Sequence, residues 1–241
     1  FKAAPAIFRH EPMLMKWMRD RFRANIPDVV AVDPERHWLL MPEVGGVSEP
    51  LDEVRDEAVW IEAVRRLAEI QVSAARWTPE LRALGVPNRS LDVLVRRIPA
   101  VCNDASAMLL GRRCGLTRSE IDRLAALGPT LLALAEELAH FEIPDSLEHG
   151  DLWASNILIT PNGPVFLDWS DSSLSHPFFS LFHLLNDAAS LLPATSAESR
   201  RRLRDAYLSP WTAVAPMDKL VRAFEIARIL APIHLAAIAH A

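Results

Sequence analysis

Cysteine is all but missing from this chain: Cys102 and Cys114 are the only two in 241 residues. Two thiols cannot build a disulfide framework, so a small stapled scaffold is excluded and both are expected to be reduced. Long apolar runs are missing too. None reaches the roughly 18 residues that a spanning helix needs, and no basic–apolar–small signal sequence opens the chain. We therefore expect no membrane partner and a cytoplasmic location. A surplus of positive charge is also lacking, since 26 Lys and Arg stand against 31 Asp and Glu for a formal charge of −5. Nucleic-acid binding rests on a concentrated basic surface and is not expected here. No segment of roughly 20–50 residues repeats, and no low-complexity stretch occurs. What remains is ordinary for a globular chain: 26.9 kDa, 50% hydrophobic and 24% charged. That is enough to bury a core for one large domain or two modest ones.

The first forty-odd residues differ from the rest. After Pro12, the residues Met13, Leu14, Trp17 and Met18 share one helical face. Two strand candidates follow, Asp28–Val32 and His37–Met41, joined by the turn-forming Asp33-Pro34-Glu35-Arg36. Gly45-Gly46 breaks the pattern, and a boundary is expected near Pro42–Gly46. Beyond it Leu51–Arg76 reads as one long amphipathic helix, with Val54, Ala58, Ile61, Val64, Leu67 and Ala68 as its stripe. Thr117–Phe141 reads as another, opened by a capping box between Thr117 and Glu120 and stopped by Pro144. Pro177–Leu192, Ala197–Leu208 and Asp218–Ala241 are also helical in pattern. The helical part holds a single β-hairpin at its centre, within Asn156–Trp169.

That hairpin carries the chemistry. Pro161-Asn162-Gly163 is a turn signal between two apolar runs. A three-residue loop puts Thr160 opposite Pro164, Leu158 opposite Phe166 and Asn156 opposite Asp168. Opposed residues of an antiparallel pair lie about 5 Å apart and share a face. An amide and a carboxylate side by side at the open end of the hairpin make a hard-oxygen site suited to Mg2+. Asp151, on the loop leading into the first strand, points to the same place. A bulge at Gly163 would slip the register by one residue.

The spacing His-x-Asp-x-x-x-x-Asn, followed by a strand ending in Asp, resembles the core of protein-kinase-like phosphotransferases. With His149-Gly150-Asp151 and Asp168-Trp169 as its motifs, the chain is similar to the aminoglycoside phosphotransferase family of small-molecule kinases. The resemblance implies an α+β, protein-kinase-like fold of two lobes: a partial nucleotide-binding N-lobe over residues 1–41, and a mostly helical C-lobe over residues 42–241. It implies ATP and Mg2+ as cofactors and a small-molecule hydroxyl as acceptor. Asp151 matches the catalytic aspartate that orients the hydroxyl and accepts its proton, and His149 the histidine that braces its loop. Asn156 and Asp168 match the two metal ligands. Met41, Pro42 and Glu43 match the hinge whose backbone holds adenine, Lys2 the lysine on the α- and β-phosphates, and Glu11 the glutamate that holds this lysine. No Gly-rich covering loop precedes Gly45, so the first two strands are expected upstream of Phe1. Two departures stand out. Glu11 directly precedes Pro12 and falls in the first turn of its helix, and Ser180 occupies a position where the family usually carries Asp.

Plainer readings compete at several positions. An isolated Asp151 would be a cap, Lys2 a solvated lysine, and Glu11 an acid complementing a helix N-terminus. Asp171 reads as a turn cap, Trp153 and Trp169 as packing residues, and Arg200–Arg204 as a solvated helix face. A nucleotide-binding or interaction module without turnover is the rival function. A hydrolase finds no nucleophile in an elbow motif. The acids of the C-terminal third, among them Asp187 and Glu198, form no pattern, so aminoglycosides, sugars and amino alcohols all stay open as acceptors.

Overall fold

A computed structural model of the protein describes residues 1–44, 48–192 and 197–240. Gly45 and Gly46, at the end of the expected hinge segment, lie outside the described residues. The chain opens with β1 (Lys2–Ala3), α1 (Glu11–Arg21), β2 (Ala31–Asp33) and β3 (Trp38–Leu40). These strands form an antiparallel sheet in the order β1-β3-β2, with Lys2 opposite Leu39 and Val32 opposite Leu39 on the other side. The turn between β2 and β3 forms as its residues suggest: the Asp33 carboxylate accepts the backbone amides of Glu35 at 3.1 Å and Arg36 at 3.0 Å. Strand β2 begins later than expected. Val30 still donates its amide to the Leu40 carbonyl, so the ladder frays before Ala31 without ending abruptly.

Then come β4 (Glu49–Pro50), α2 (Glu57–Ala74), α3 (Thr78–Ala83), α4 (Leu91–Asn103) and α5 (Arg118–Ala139). The expected single helix Leu51–Arg76 is broken. Leu51–Glu53 forms a 3-10 turn, Val54 is extended, and Asp56 caps α2 by accepting the Ala58 amide at 2.9 Å. The capping box of α5 is present, with Glu120 accepting the Thr117 amide at 2.7 Å and Thr117 accepting the Glu120 amide at 3.3 Å. That helix ends at Ala139, well before Pro144, and Glu142 takes a left-handed φ of 55° just beyond it.

The rest comprises β5 (Ser146–Glu148), β6 (Ile157–Thr160), β7 (Gly163–Phe166), β8 (Ser173–Ser175), α6 (Leu181–Leu191), α7 (Ala197–Leu208) and α8 (Met217–Ala239). The expected lone hairpin is part of more sheet than its pattern announces. β4 adds to it in the order β4-β6-β7, and β5 pairs with β8. Its register also differs from the three-residue-loop expectation: Thr160 lies opposite Gly163, Leu158 opposite Val165 and Ile157 opposite Phe166. Glycine explains the slip. Gly163 adopts φ 111° and stays in the ladder while the chain reverses, which leaves Pro161 and Asn162 alone as the loop. Asn156 consequently faces Leu167, whose amide it accepts at 2.8 Å, and not Asp168.

One continuous apolar core joins α1, the sheets and the helices of the larger part. Helix α2 runs through it, burying Trp60, Val64, Leu67 and Ala68, and α7 packs along it. Full burial of side chains as large as Trp60, Trp169, Trp211 and Tyr207 contributes about 2–3 kcal/mol each. Cys102 is buried and Cys114 exposed, and neither is paired.

Candidate active site

Four elements meet at one cleft. β1 carries Lys2, α1 opens with Glu11, the segment after β3 carries Met41 and Glu43, and the residues after β7 carry Asp168. All of these line a cavity of about 530 Å³ together with Leu158 and Leu167. Lys2 holds the centre. Its Nζ donates to Glu11 Oε1 at 2.6 Å and to Asp168 Oδ1 at 2.8 Å, across 166 residues of sequence. Burial acts to lower the Lys2 pKa, but the Asp168 and Glu11 carboxylates outweigh it and the net shift is upward. Glu11 is 2% exposed. Burial raises its pKa against the pull of Lys2, and its Oε2 has no hydrogen-bond partner. Asp168 goes the other way. Burial opposes ionisation there, yet the bonds from Lys2 and from Ser170 Oγ, at 2.8 Å, hold its pKa down.

Asp168 reaches this place through a left-handed turn, φ 51°, immediately after the strand. That conformation costs a residue with a Cβ about 1–2 kcal/mol and is found where a side chain must be aimed. Gly150 is the counterpart on the preceding loop: at φ 82° a Cβ there would stand 2.3 Å from the Asp171 carbonyl oxygen. The loop Gly150–Asn156 and the turn Asp168–Asp171 are thus pressed backbone to backbone, at a distance only glycine permits.

His149 lies at the base of that loop and is fully buried. Its Nε2 donates to the Leu167 carbonyl at 2.9 Å, its ring packs on Trp169, and burial holds its pKa below the usual histidine value. The imidazole therefore stays neutral and ties the loop to the strand that delivers Asp168. Its backbone amide donates to Ser180 Oγ at 3.1 Å, and Gln71 Nε2 donates to the same oxygen at 2.9 Å. Ser180 thus accepts, with a neutral hydroxyl, the loop amide at the departure noted above. Two further braces escaped the sequence reading. Glu148 accepts the Gly150 amide at 2.7 Å, and Asp187, read as a scattered acid, accepts the Ala154 amide at 2.8 Å. The Glu148 bond spans only two residues, whereas tertiary contact alone defines that of Asp187.

Asp151 and Asn156 are joined through backbone, the Asn156 Nδ2 donating to the Asp151 carbonyl at 2.9 Å. Asn156 Oδ1 keeps no donor among the described residues. Trp153 corrects the packing assignment: it is 39% exposed, stacks on His183 at 4.2 Å and donates Nε1 to Asp151 Oδ1 at 2.7 Å. Trp169 is a packing residue as expected. Asp171 is no simple cap. Its carbonyl accepts Arg89 Nη1 at 2.8 Å, and its carboxyl pKa is raised by burial and by the charge of Asp151.

A small antiparallel sheet against a helical body, with Lys2, Glu11 and Asp168 converging in the cleft between them, defines a kinase-like two-lobe α+β fold. Solved structures share it. The GDP and kanamycin complex of APH(2")-IIia matches with a TM-score of 0.61 at 18% identity, covering 94% of this chain and 73% of that one. An ethanolamine kinase from Plasmodium vivax gives 0.63 at 15% identity, covering 96% and 66%. The choline kinase LicA from Streptococcus pneumoniae gives 0.58 at 13%, covering 97% and 74%. No curated protein matches the chain. The phosphotransferase enzyme family matches over residues 3–217, and the protein belongs to that family.

Proposed function

We propose that the protein transfers the γ-phosphate of ATP to a hydroxyl of a small molecule, with Mg2+ as cofactor. The observation that carries this reading is the Lys2 bridge between Glu11 and Asp168 at the mouth of the cleft. A buried carboxylate, a lysine and a half-exposed carboxylate in line form a polar end for a cavity whose other walls, such as Met15, Pro42 and Leu158, are apolar. An apolar slot closed by such an end fits a base with phosphates attached. On this reading residues 1–41 bind nucleotide through Lys2, Glu11 and, at the hinge, Met41 and Glu43. Residues 42–241 carry the reacting residues and the acceptor seat.

The donor set fits magnesium. Asn156 offers one amide oxygen and Asp168 one free carboxylate oxygen, whereas no three His, Cys, Asp or Glu side chains form a cage among the described residues. Two protein oxygens completed by phosphates and water are what Mg2+ accepts. When bound, it supplies neutralisation of charge on the β- and γ-phosphates. Lys2 adds a fixed cation beside the same phosphates. Asp151 accepts the acceptor's proton as the hydroxyl oxygen forms its bond to the γ-phosphorus and the bond from that phosphorus to the ADP oxygen breaks. Trp153 holds one oxygen of Asp151 and His149 fixes the loop, so the carboxylate is oriented in advance.

The rival reading, a binding module without turnover, rests on Ser180, on Glu11 and on the absence of a Gly-rich covering loop before Gly45. Ser180 retains a hydrogen bond to the loop and Glu11 an ion pair with Lys2, which favours the kinase. The test is nucleotide consumption by wild type and Asp151→Ala, with ATP and GTP as donors and aminoglycosides, sugars and amino alcohols as acceptors. Acceptor-stimulated turnover in wild type alone supports the proposal, and equal turnover in both removes Asp151 from it.

A further inference from the structure

A second cavity, of about 680 Å³, opens on the far side of the Asp168–Asp171 turn, between the start of α4 and the end of α8. This volume lies within the range of small-molecule sites. Asp171 is its inner wall and is in turn packed against Gly150, one residue from Asp151. The cavity thus backs onto the turn that is packed against the loop of the proposed base. Most of the lining is apolar, including Phe8, Leu94, Leu235 and Ile238. The exceptions are Asn88, Arg89, Arg97, Asp171 and His234.

The two guanidinium groups set the chemistry. Arg89 gives Nη1 to the Asp171 carbonyl, and Arg97 gives Nη1 to the Ala237 carbonyl at the end of α8. Both partners are neutral. Neither arginine pairs with a carboxylate among the described residues, unlike Arg65, Arg66, Arg202 and Arg222, which all do. Each fork is thus anchored by one nitrogen and keeps its other donors for a ligand. Burial of Arg89 disfavours its charge, the Glu148 and Asp171 carboxylates offset this only in part, and an anion brought beside it relieves the rest. The one carboxylate of the lining, Asp171, lies at the inner end, where burial and Asp151 already make its negative charge unfavourable. A polycation would find a single acid here and two fixed positive charges.

We infer that this cavity seats the acceptor, and that the acceptor is a hydroxyl compound with an apolar body and a carboxylate, held by Arg89 and Arg97 while its hydroxyl reaches Asp151. The inference rests on the phosphotransfer reading for the role of the hydroxyl, but the carboxylate seat stands on the cavity alone.

Three probes of one shape separate the alternatives: 4-(hydroxymethyl)benzoate, its methyl ester and 4-(hydroxymethyl)benzylamine. With Mg-ATP and the full chain, the carboxylate should show at least about tenfold higher kcat/KM than the ester, consistent with a charge-assisted pair, and the amine should be poorest. In Arg89→Met and Arg97→Met the carboxylate-to-ester ratio should collapse towards one, and Arg97→Lys should keep part of it. The KM for ATP serves as the control for a folded nucleotide cleft. Calorimetric binding without ATP is the second arm. Binding of the carboxylate that both Met variants abolish, with no turnover of any probe, supports the seat and counts against phosphotransfer. Turnover that prefers the amine or the ester, or a carboxylate preference indifferent to both arginines, overturns the inference while the kinase reading stands. Failure of all three probes both to bind and to turn over also overturns it.

Discussion

The two cavities that meet at the Asp168–Asp171 turn are built in opposite ways. On the Lys2 side the central charges are paired: Lys2 bonds two carboxylates, and Glu11 and Asp168 share it. On the Arg89 side the cations are anchored to backbone carbonyls and form no ion pair among the described residues, with Glu148 and Asp171 acting on Arg89 only through space. The first arrangement is a closed set that a triphosphate must rearrange, so its strength goes into positioning. The second is an open set, and its strength is available for recognition. On the proposed reading, reaction chemistry and acceptor choice occupy separate walls of one turn, and substitutions on each wall should act on different kinetic parameters.

Loss of Asp151, the proposed base, should have the largest effect. Asp151→Asn should lower kcat by about 10²–10⁴-fold, the range for a lost general base, while leaving Mg-nucleotide affinity nearly intact. A fall in nucleotide affinity of similar size would place Asp151 on the Lys2 wall and break the division. Lys2→Met should come next. Removing one charge-assisted contact of about 1.5–3 kcal/mol predicts a loss of about 10–150-fold in kcat/KM for ATP. Acceptor KM should hardly move, and steady-state kinetics with both substrates varied would show it.

A third substitution probes what lies under both walls. Ser180→Ala removes the oxygen that accepts from Gln71 and from the His149 amide, leaving the buried His149 amide unsatisfied while Gln71 keeps its bond to the Leu147 carbonyl. We expect a loss of about 1–3 kcal/mol in urea unfolding, with the loop Gly150–Asn156 loosened and kcat lowered. Ser180→Asp should restore an acceptor in the same place but bury a charge, and we expect it to be less stable than wild type.

The two walls were not equally legible in the sequence. Lys2 and Glu11 are legible only through the family resemblance, whereas Asp168 and the loop before it are written in spacing, with His149, Asp151, Asn156 and Asp168 within twenty residues on a hairpin whose turn residues announce it. Even there the register slipped, because whether Gly163 sits inside or outside the ladder depends on its φ, which spacing does not encode. Capping gave α5 correctly, since Thr117 and Glu120 are local partners. It missed the break before α2, where Asp56 outcompetes the apolar stripe. The Arg89 wall left no trace, because it is assembled from the lead into α1, from α4 and from the end of α8. Arg89 and Arg97 acquire meaning only once Asp171 and Ala237 are folded against them. Short strands β5 and β8 were invisible for the same reason: three residues each, fully buried, with no alternation to betray them.

The smallest expected effect separates the walls by pH. Burial, and then the charge of Arg89, hold the His10 pKa down to about 4, and burial, then the neighbouring His234, hold that of His176 down to about 3. His10 thus reports on the Arg89 wall, whereas His176 lies in the helical body. Both are neutral in the folded chain, and in the unfolded chain both would titrate near 6.5. Below that value the unfolded state takes up protons that the folded state refuses, so stability is complete above pH 6.5 and falls as pH drops towards 4. For the fully buried His176 the slope approaches about 1.4 kcal/mol per pH unit. Urea midpoints between pH 7 and 5 would measure it. His176→Asn keeps an acceptor for the Phe178 amide that Nδ1 now caps, yet carries no titrating group, and should flatten the profile. Arg89→Met removes a positive charge beside His10 and should raise that histidine's pKa, flattening the lower end of the same profile by a smaller amount. An unaltered profile in Arg89→Met would mean that the guanidinium is screened from His10, and that the Arg89 wall is wetter than its lining implies.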